Sequence, residues 1–169
     1  MLTLFIANCN AVTPINQGSS FDVGFSPNGD SLNLVIQGIN SAKQSIHVAA
    51  YSFTSKPIAE ALLRAKKRGV DVKVVADQKS NSGKYSATTY LANNNVPVRL
   101  NGNYAIFHHK FMVIDGKSLE VGSFNYSAAA VNRNAENVLM LWNVPQIAYR
   151  YDKEWVKLWN EASQLKANY

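Results

Sequence analysis

Residues 107–125 read "FHHKFMVIDGKSLEVGSFN", two runs of strand-forming residues on either side of Asp115-Gly116. Aspartate followed by glycine between alternating apolar residues is a strong hairpin signal, because both residues accept positive φ. The stretch predicts two antiparallel strands, "FHHKFMVI" and "SLEVGSF". Side chains alternate across a strand, so His108, Lys110, Met112 and Ile114 share one face and His109, Phe111 and Val113 the other. The two adjacent histidines then point to opposite sides of the sheet, and a metal shared between them is not expected. A two-residue loop at Asp115-Gly116 sets His108 opposite Ser123, whereas a loop at Gly116-Lys117 sets it opposite Asn125. Both registers gather His108, Lys110, Ser123 and Asn125 on one face. A three-residue loop would break that parity.

Four polar side chains on one face of an otherwise apolar hairpin are costly to bury without a purpose. Their types suit a phosphodiester. A lysine cation, a hydroxyl and an amide can hold oxygens, while an imidazole can attack or donate a proton. His109, on the other face, reads as a packing residue.

Outward from the hairpin, strands and helices alternate. "FDVGFS", "SIHVAAYSF", "VDVKVVAD", "VPVRL" and "ENVLMLWN" read as further strands. "SLNLVIQGINSA" and "SKPIAEALLRAKKRG" read as helices, the second with Ser55 as N-cap, Pro57 in its first turn and Gly69 as its stop. "KYSATTYLANNN" suggests another helix, and a last one runs from about Pro145 to Leu165 with Ile147, Tyr151, Trp155, Leu158, Ala162 and Leu165 on one face. The expected fold class is α/β, a mixed sheet flanked by helices on both faces. The charges of "RAKKRG" form a solvated helix face, with Ile58, Ala61, Leu62 and Ala65 toward the core. "SNSGKYS" is no phosphate loop, because Tyr85 stands where a serine or threonine should bind magnesium.

The 169 residues suffice for one domain with a proper core, and 47% hydrophobic against 17% charged is a globular composition. Seventeen Lys and Arg against eleven Asp and Glu leave a formal charge of +6, which favours polyanionic partners. The single cysteine, Cys9, excludes an intramolecular disulfide and a thiolate zinc cluster. No apolar run approaches the ~20 residues of a membrane span. Residues 1–20 read either as a clipped export signal, after "MLTLFIANCNA", or as a frayed terminus, and residues 21–169 as the folded domain. The first alternative implies export to the periplasm or medium, the second a cytoplasmic protein.

The pattern His108-x-Lys110-x4-Asp115-x6-Gly122-Ser123-x-Asn125 resembles the signature of the phospholipase D superfamily at every fixed position. With "VGFSP", "AYSFTS", "AKKRGVDVKVV" and "NAENVLMLWN", the chain after residue 20 is similar to the small single-motif bacterial and plasmid-borne endonucleases of that superfamily. The resemblance implies that His108 attacks phosphorus to form a phosphohistidine, while Lys110, Ser123 and Asn125 hold the non-bridging oxygens. It also implies that Glu136 orients the histidine and that no cofactor or metal is needed. Asp115 sits at the turn, outside the parity, and is expected to stabilise the loop. Gly122 is a structural member of the motif.

The expected activity is metal-independent, sequence-tolerant cleavage of DNA, with RNA as a further substrate. A phospholipase acting on headgroup esters, and a nucleic-acid-binding relic without activity, are the competing readings. Lys79 and Lys84, in "DQKSNSGKY", are candidate backbone contacts. Attack by His108 expels an alkoxide that needs a second acid, and His47 belongs to no matching motif. A two-fold homodimer sharing one centre, with no stable membrane insertion, is therefore expected.

Overall fold

The computed structural model describes residues 14–83 and 86–166. Lys84, Cys9 and the apolar N-terminal segment fall outside the described residues. The elements in chain order are β1 (Ser20–Ser26), α1 (Ser31–Ser41), β2 (Ser45–Ala50), α2 (Lys56–Lys67), β3 (Asp71–Asp77), α3 (Gln78–Asn81), α4 (Ala87–Asn93) and β4 (Val98–Asn101). They continue with β5 (Lys110–Ile114), β6 (Ser118–Gly122), α5 (Ala128–Asn132), β7 (Glu136–Trp142), α6 (Pro145–Glu161) and β8 (Ser163–Gln164).

All eight strands form one sheet in the order β1-β7-β6-β5-β2-β3-β4-β8. β2, β3 and β4 run parallel, and every other pairing is antiparallel. The near-continuous apolar runs of β2, β3 and β5 are the mark of strands covered on both sides. On one face α1, α2 and α4 bury Val35, Ile39, Ile58, Leu62 and Leu91 against Ile46, Val48, Val74, Met112 and Met140. On the other, α6 lays Ala148, Trp155 and Leu158 on Ala49, Val75, Phe111, Val113 and Leu119. This is the mixed α/β/α sandwich expected from the alternation.

The local differences have physical causes. The register sets Ile114 opposite Ser118, so Asp115, Gly116 and Lys117 form a three-residue loop rather than either two-residue one. Asp115 (φ 52°) and Gly116 (φ 62°) are both left-handed. Lys117 donates its N–H to the carbonyl of Ile114 at 3.1 Å, closing the turn, and its carbonyl accepts the N–H of Val144 at 2.7 Å on the β7 side. Ser55 stands at the N-cap of α2 without a side-chain cap bond. α6 ends at Glu161, before Leu165, because the chain turns back to pair β8 with β4 and Leu165 donates its N–H to Val98.

Candidate active site

The parallel strands β2, β3 and β4 end at one rim of the sheet, and the antiparallel β5 starts there. In open α/β sheets that rim is where ligands bind. β6 ends on the same rim at Gly122, and β7 begins on it at Glu136.

His108 and His109 precede β5 rather than lying within it, yet they still face opposite ways. The His109 ring packs edge-on against Phe107 and Phe111, at 5.4 and 5.5 Å between centroids. Burial pushes His109 below the ordinary histidine range, against the opposing pull of Glu154. His108 is exposed and lies against the ring of Tyr51 at 4.7 Å. Lys110 is buried and donates to the carbonyl of His108 at 2.8 Å, with Nζ 5.1 Å from the centre of the Tyr51 ring. Burial lowers the pKa of Lys110, and the charge of Glu136 opposes that shift.

Ser123 donates to Glu136 Oε2 at 2.6 Å, and its Oγ accepts from the backbone and side-chain nitrogens of Asn137 at 3.1 and 3.3 Å. Asn134 donates to Glu136 Oε1 at 3.0 Å. Asn125 Oδ1 is buried without a hydrogen-bond partner among the described residues. Its amide nitrogen makes no hydrogen bond among the described residues.

Strand parity is not what assembles this group. With Ile114 opposite Ser118, alternation sets Glu120 and Gly122 across from Met112 and Lys110. Ser123 belongs to the other parity. A bend produces the gathering instead. β6 stops at Gly122, whose close approach to β7 leaves no room for a side chain, since a Cβ there would lie 2.1 Å from the carbonyl oxygen of Asn137. Beyond it Phe124 and Tyr126 turn fully into the core, leaving Ser123 exposed and Asn125 half-buried between them.

Glu136 makes no hydrogen bond to His108 within the chain. Its carboxylate holds Ser123 and Asn134, so the expected orienting contact on the histidine is replaced by one on the serine. Asp115 lies at the far end of β5. Its carboxylate accepts the N–H groups of Lys43, Gln44 and Ser45 at 2.7 to 3.1 Å. Burial raises its pKa, but those three amides outweigh burial and hold it below the usual range. Lys79 is exposed on α3, on the rim but away from the other groups.

Three positions escaped the sequence reading. Tyr51 backs both His108 and Lys110. Its place just past the end of a parallel strand was the available signal. Asn81 is fully buried, donates to the carbonyls of Tyr51 and Asp77, and accepts the N–H of Phe53. Asp77 accepts the N–H of Phe107 at 2.9 Å, fixing the segment that leads into His108. No group of three or more His, Cys, Asp or Glu able to hold a metal occurs among the described residues.

The family model described as "Cardiolipin synthase, PLD-like domain" matches residues 35–159. A crystal structure of a phospholipase D family member, Nuc from Salmonella typhimurium, superposes with a TM-score of 0.86 at 42% identity, covering 88% of this chain and 99% of that one. NucT from Helicobacter pylori gives 0.78 at 29% identity, covering 87% and 99%. A phospholipase D of Rickettsia typhi is 34% identical over 131 residues, which are 78% of this chain and 64% of that protein. The chain thus spans somewhat under two thirds of that relative's length. Motif, fold and family model agree over the same residues, and the chain belongs to the phospholipase D superfamily.

Proposed function

We propose that the protein is a phosphodiesterase that cleaves DNA, and RNA as a further substrate, through a phosphohistidine. The observation that carries the reading is the convergence at one rim of an exposed imidazole, a buried lysine, a serine and an uncommitted asparagine amide. Among the described residues the His108 ring makes no hydrogen bond, and it can attack phosphorus. A nitrogen–phosphorus bond forms as the bond to the leaving oxygen breaks. The Lys110 ammonium, the Ser123 hydroxyl and the Asn125 amide hold the non-bridging oxygens as charge builds on them. Water then attacks the phosphohistidine, gives up a proton, and frees the imidazole. Lys110 supplies the cationic charge that a metal supplies in other phosphodiesterases. Lys79 is an exposed cation on the same rim, and with the formal charge of +6 it supports a polyanionic partner.

The departing alkoxide needs a proton, and among the described residues no second imidazole or carboxyl is hydrogen-bonded to His108. His109 points away, and His47 is held under α6 against Asp152 and Trp155. A two-fold homodimer that brings two His108 groups to one phosphate meets the requirement, one attacking and the other donating. A feature of the fold supports pairing. Phe21, Val23 and Phe25 of β1 are 67%, 46% and 63% exposed, on a sheet end that α6 leaves largely uncovered.

Purified protein incubated with plasmid DNA in excess EDTA, beside a labelled phospholipid, tests the substrate. Nicking of DNA without release of the headgroup is the expected result. The lipid reading gains from one observation, the exposed Tyr104 and Ile106 beside His108 (39% and 56%), and would be favoured by the reverse outcome. Mixing His108→Ala chains with intact ones tests the shared centre. Mixed dimers should lose nearly all multiple turnover, and a fully active monomer in the ultracentrifuge would refute it.

A further inference from the structure

Glu120 is a buried carboxyl that the chemistry above does not use. It lies on β6 across from Met112 of β5 and Met140 of β7, and is 1% exposed. Its hydrogen-bond partner is Tyr126, whose hydroxyl donates to Oε2 at 2.6 Å. The other oxygen, Oε1, is buried and unpartnered. Methionines stand at both cross-strand positions, so an apolar residue would fit at position 120 and cost less to bury.

The two partners bracket the bend. After Gly122 the chain leaves the ladder, and Ser123 and Asn125 lie on the span between Glu120 and Tyr126. At the far end the carbonyl of Tyr126 accepts the N–H groups of Thr54 and Ser55, both at 2.8 Å, and its ring packs edge-on against Phe53. The side-chain bond therefore ties the end of β6 to the segment docked on β2 and closes the span from inside the core.

We propose that the Glu120–Tyr126 hydrogen bond is a brace that holds the Ser123–Asn125 bend in the geometry needed to grip phosphate oxygens, which makes both partners positioning residues. The proposal rests on the reading of Ser123 and Asn125 as phosphate-holding groups. Burial pushes Glu120 up to about 8, so the brace is neutral at pH 7. The charged groups nearest along the neighbouring strands are Lys110 on β5 and Glu136 on β7, both toward the rim. The buried faces of α1 and β2 contribute only Ser31, Leu34, Val35, Gly38, Ile39, Ile46, Val48 and the like. An ionised Glu120 would draw a stronger bond from the Tyr126 hydroxyl, but among the described residues it has no other hydrogen-bond partner to offset its burial, so the segment should open more readily as pH rises past the carboxyl's pKa.

The test compares Tyr126→Phe, Glu120→Met and Glu120→Gln, assayed on plasmid DNA and on bis(4-nitrophenyl) phosphate. Loss of the brace in the first two should lower kcat by about tenfold to a hundredfold with KM little changed, the scale of misplaced catalytic groups. Glu120→Gln keeps an acceptor for Tyr126. It should retain most of kcat and lack the alkaline fall expected of the wild type near pH 8. Amide hydrogen exchange supplies a second readout. Thr54 and Ser55 should lose protection in Tyr126→Phe and Glu120→Met but not in Glu120→Gln, with β2 and β3 unchanged. Wild-type kcat and unchanged exchange in folded Tyr126→Phe and Glu120→Met would overturn the brace. A wild-type protein inactive on both diesters would instead overturn the functional reading, and exchange alone would then decide the brace.

Discussion

Replacing Asp115 separates two meanings of membership in the motif. The residue sits at the end of β5 away from His108, and its Oδ1 accepts from the amides of Lys43, Gln44 and Ser45. Hydrogen bonds to a charged acceptor contribute about 1.5–3 kcal/mol when buried. Two of these amides are exposed and can turn to water, so each loses a few tenths, whereas the half-buried Ser45 amide loses roughly 1–2 kcal/mol. Asp115 also holds φ 52°, a conformation that costs alanine roughly 1–2 kcal/mol and asparagine much less. Asp115→Ala should therefore cost about 3 kcal/mol. Asp115→Asn, which keeps the oxygen and tolerates the turn, should cost about 1 kcal/mol. For a chain of this size those losses lower Tm by roughly 6–12 and 2–4 °C. Because the amides depress the folded pKa of Asp115 below 3.8, its contribution is present above that value and lost as pH falls through the folded pKa. The Asp–Asn difference should accordingly shrink in acid. Urea melts at pH 7 and pH 3, with initial rates measured well below Tm, read all of this. The rate per folded molecule should stay within about twofold of wild type. A large fall in kcat with unchanged stability would place Asp115 in the chemistry and refute the reasoning.

Four further outcomes follow from the site. His108→Ala should abolish turnover, whereas His109→Ala should keep most of it and lower stability by roughly 1–2 kcal/mol through lost contacts with Phe107 and Phe111; equal losses in folded variants would contradict the opposite facing of the two rings. Cleavage should persist in millimolar EDTA because Lys110 supplies the positive charge, and activity restored only by magnesium would count against it. DNA cleavage at sub-saturating substrate should fall steeply with salt, with a log–log slope of roughly −2 or steeper, and a flat response would point to a small substrate. Glu120 has a folded pKa raised to about 8 from an ordinary 4.5, so the folded state binds the extra proton and wild-type stability should decline between those values. Glu120→Gln should flatten that decline, which amounts to on the order of 5 kcal/mol, and a wild type equally stable at pH 5 and pH 9 would show the carboxyl to be ionised throughout.

The order of the longer strands and helices was legible because each carries its own period, 2 in β3 and 3.6 in α2 and α6, whereas α3, α5 and β8 span only four, five and two residues, too few to show one. What failed was the one-residue accounting of the hairpin. Asp115-Gly116 does signal the turn, but the β5–β6 pairing begins one residue later than a two-residue loop allows, at Ser118, and the dipeptide alone does not encode that extra residue. The motif residues were read from the sequence by type and spacing, while the expected cause of their gathering, strand parity, gave way to the bend after Gly122. Tyr51, Asn81 and Asp77 were not legible, since their roles come from strand ends that meet only in the sheet. Glu136 was found by its place after the motif. Its engagement with Ser123 depends on how β7 docks beside β6, a relation that position along the chain does not encode.

The rim that carries Glu136 is closed by the first strand of the domain. β1 is an edge strand paired with β7, with Ser26 opposite Glu136 and Ser20 opposite Trp142. Contacts between such distant segments form late, after local units such as β2-α2-β3. During synthesis β1 emerges early and has no strand to pair with until β7 follows, and β6 likewise waits for β7. Asn137, which supports Ser123, arrives on that same late strand. A chain still being made would therefore carry His108 and Lys110 before Ser123 has gained its partners Glu136 and Asn137. The arrangement at the rim is completed only by the longest-range pairing in the sheet, so its assembly depends on the synthesis of β7.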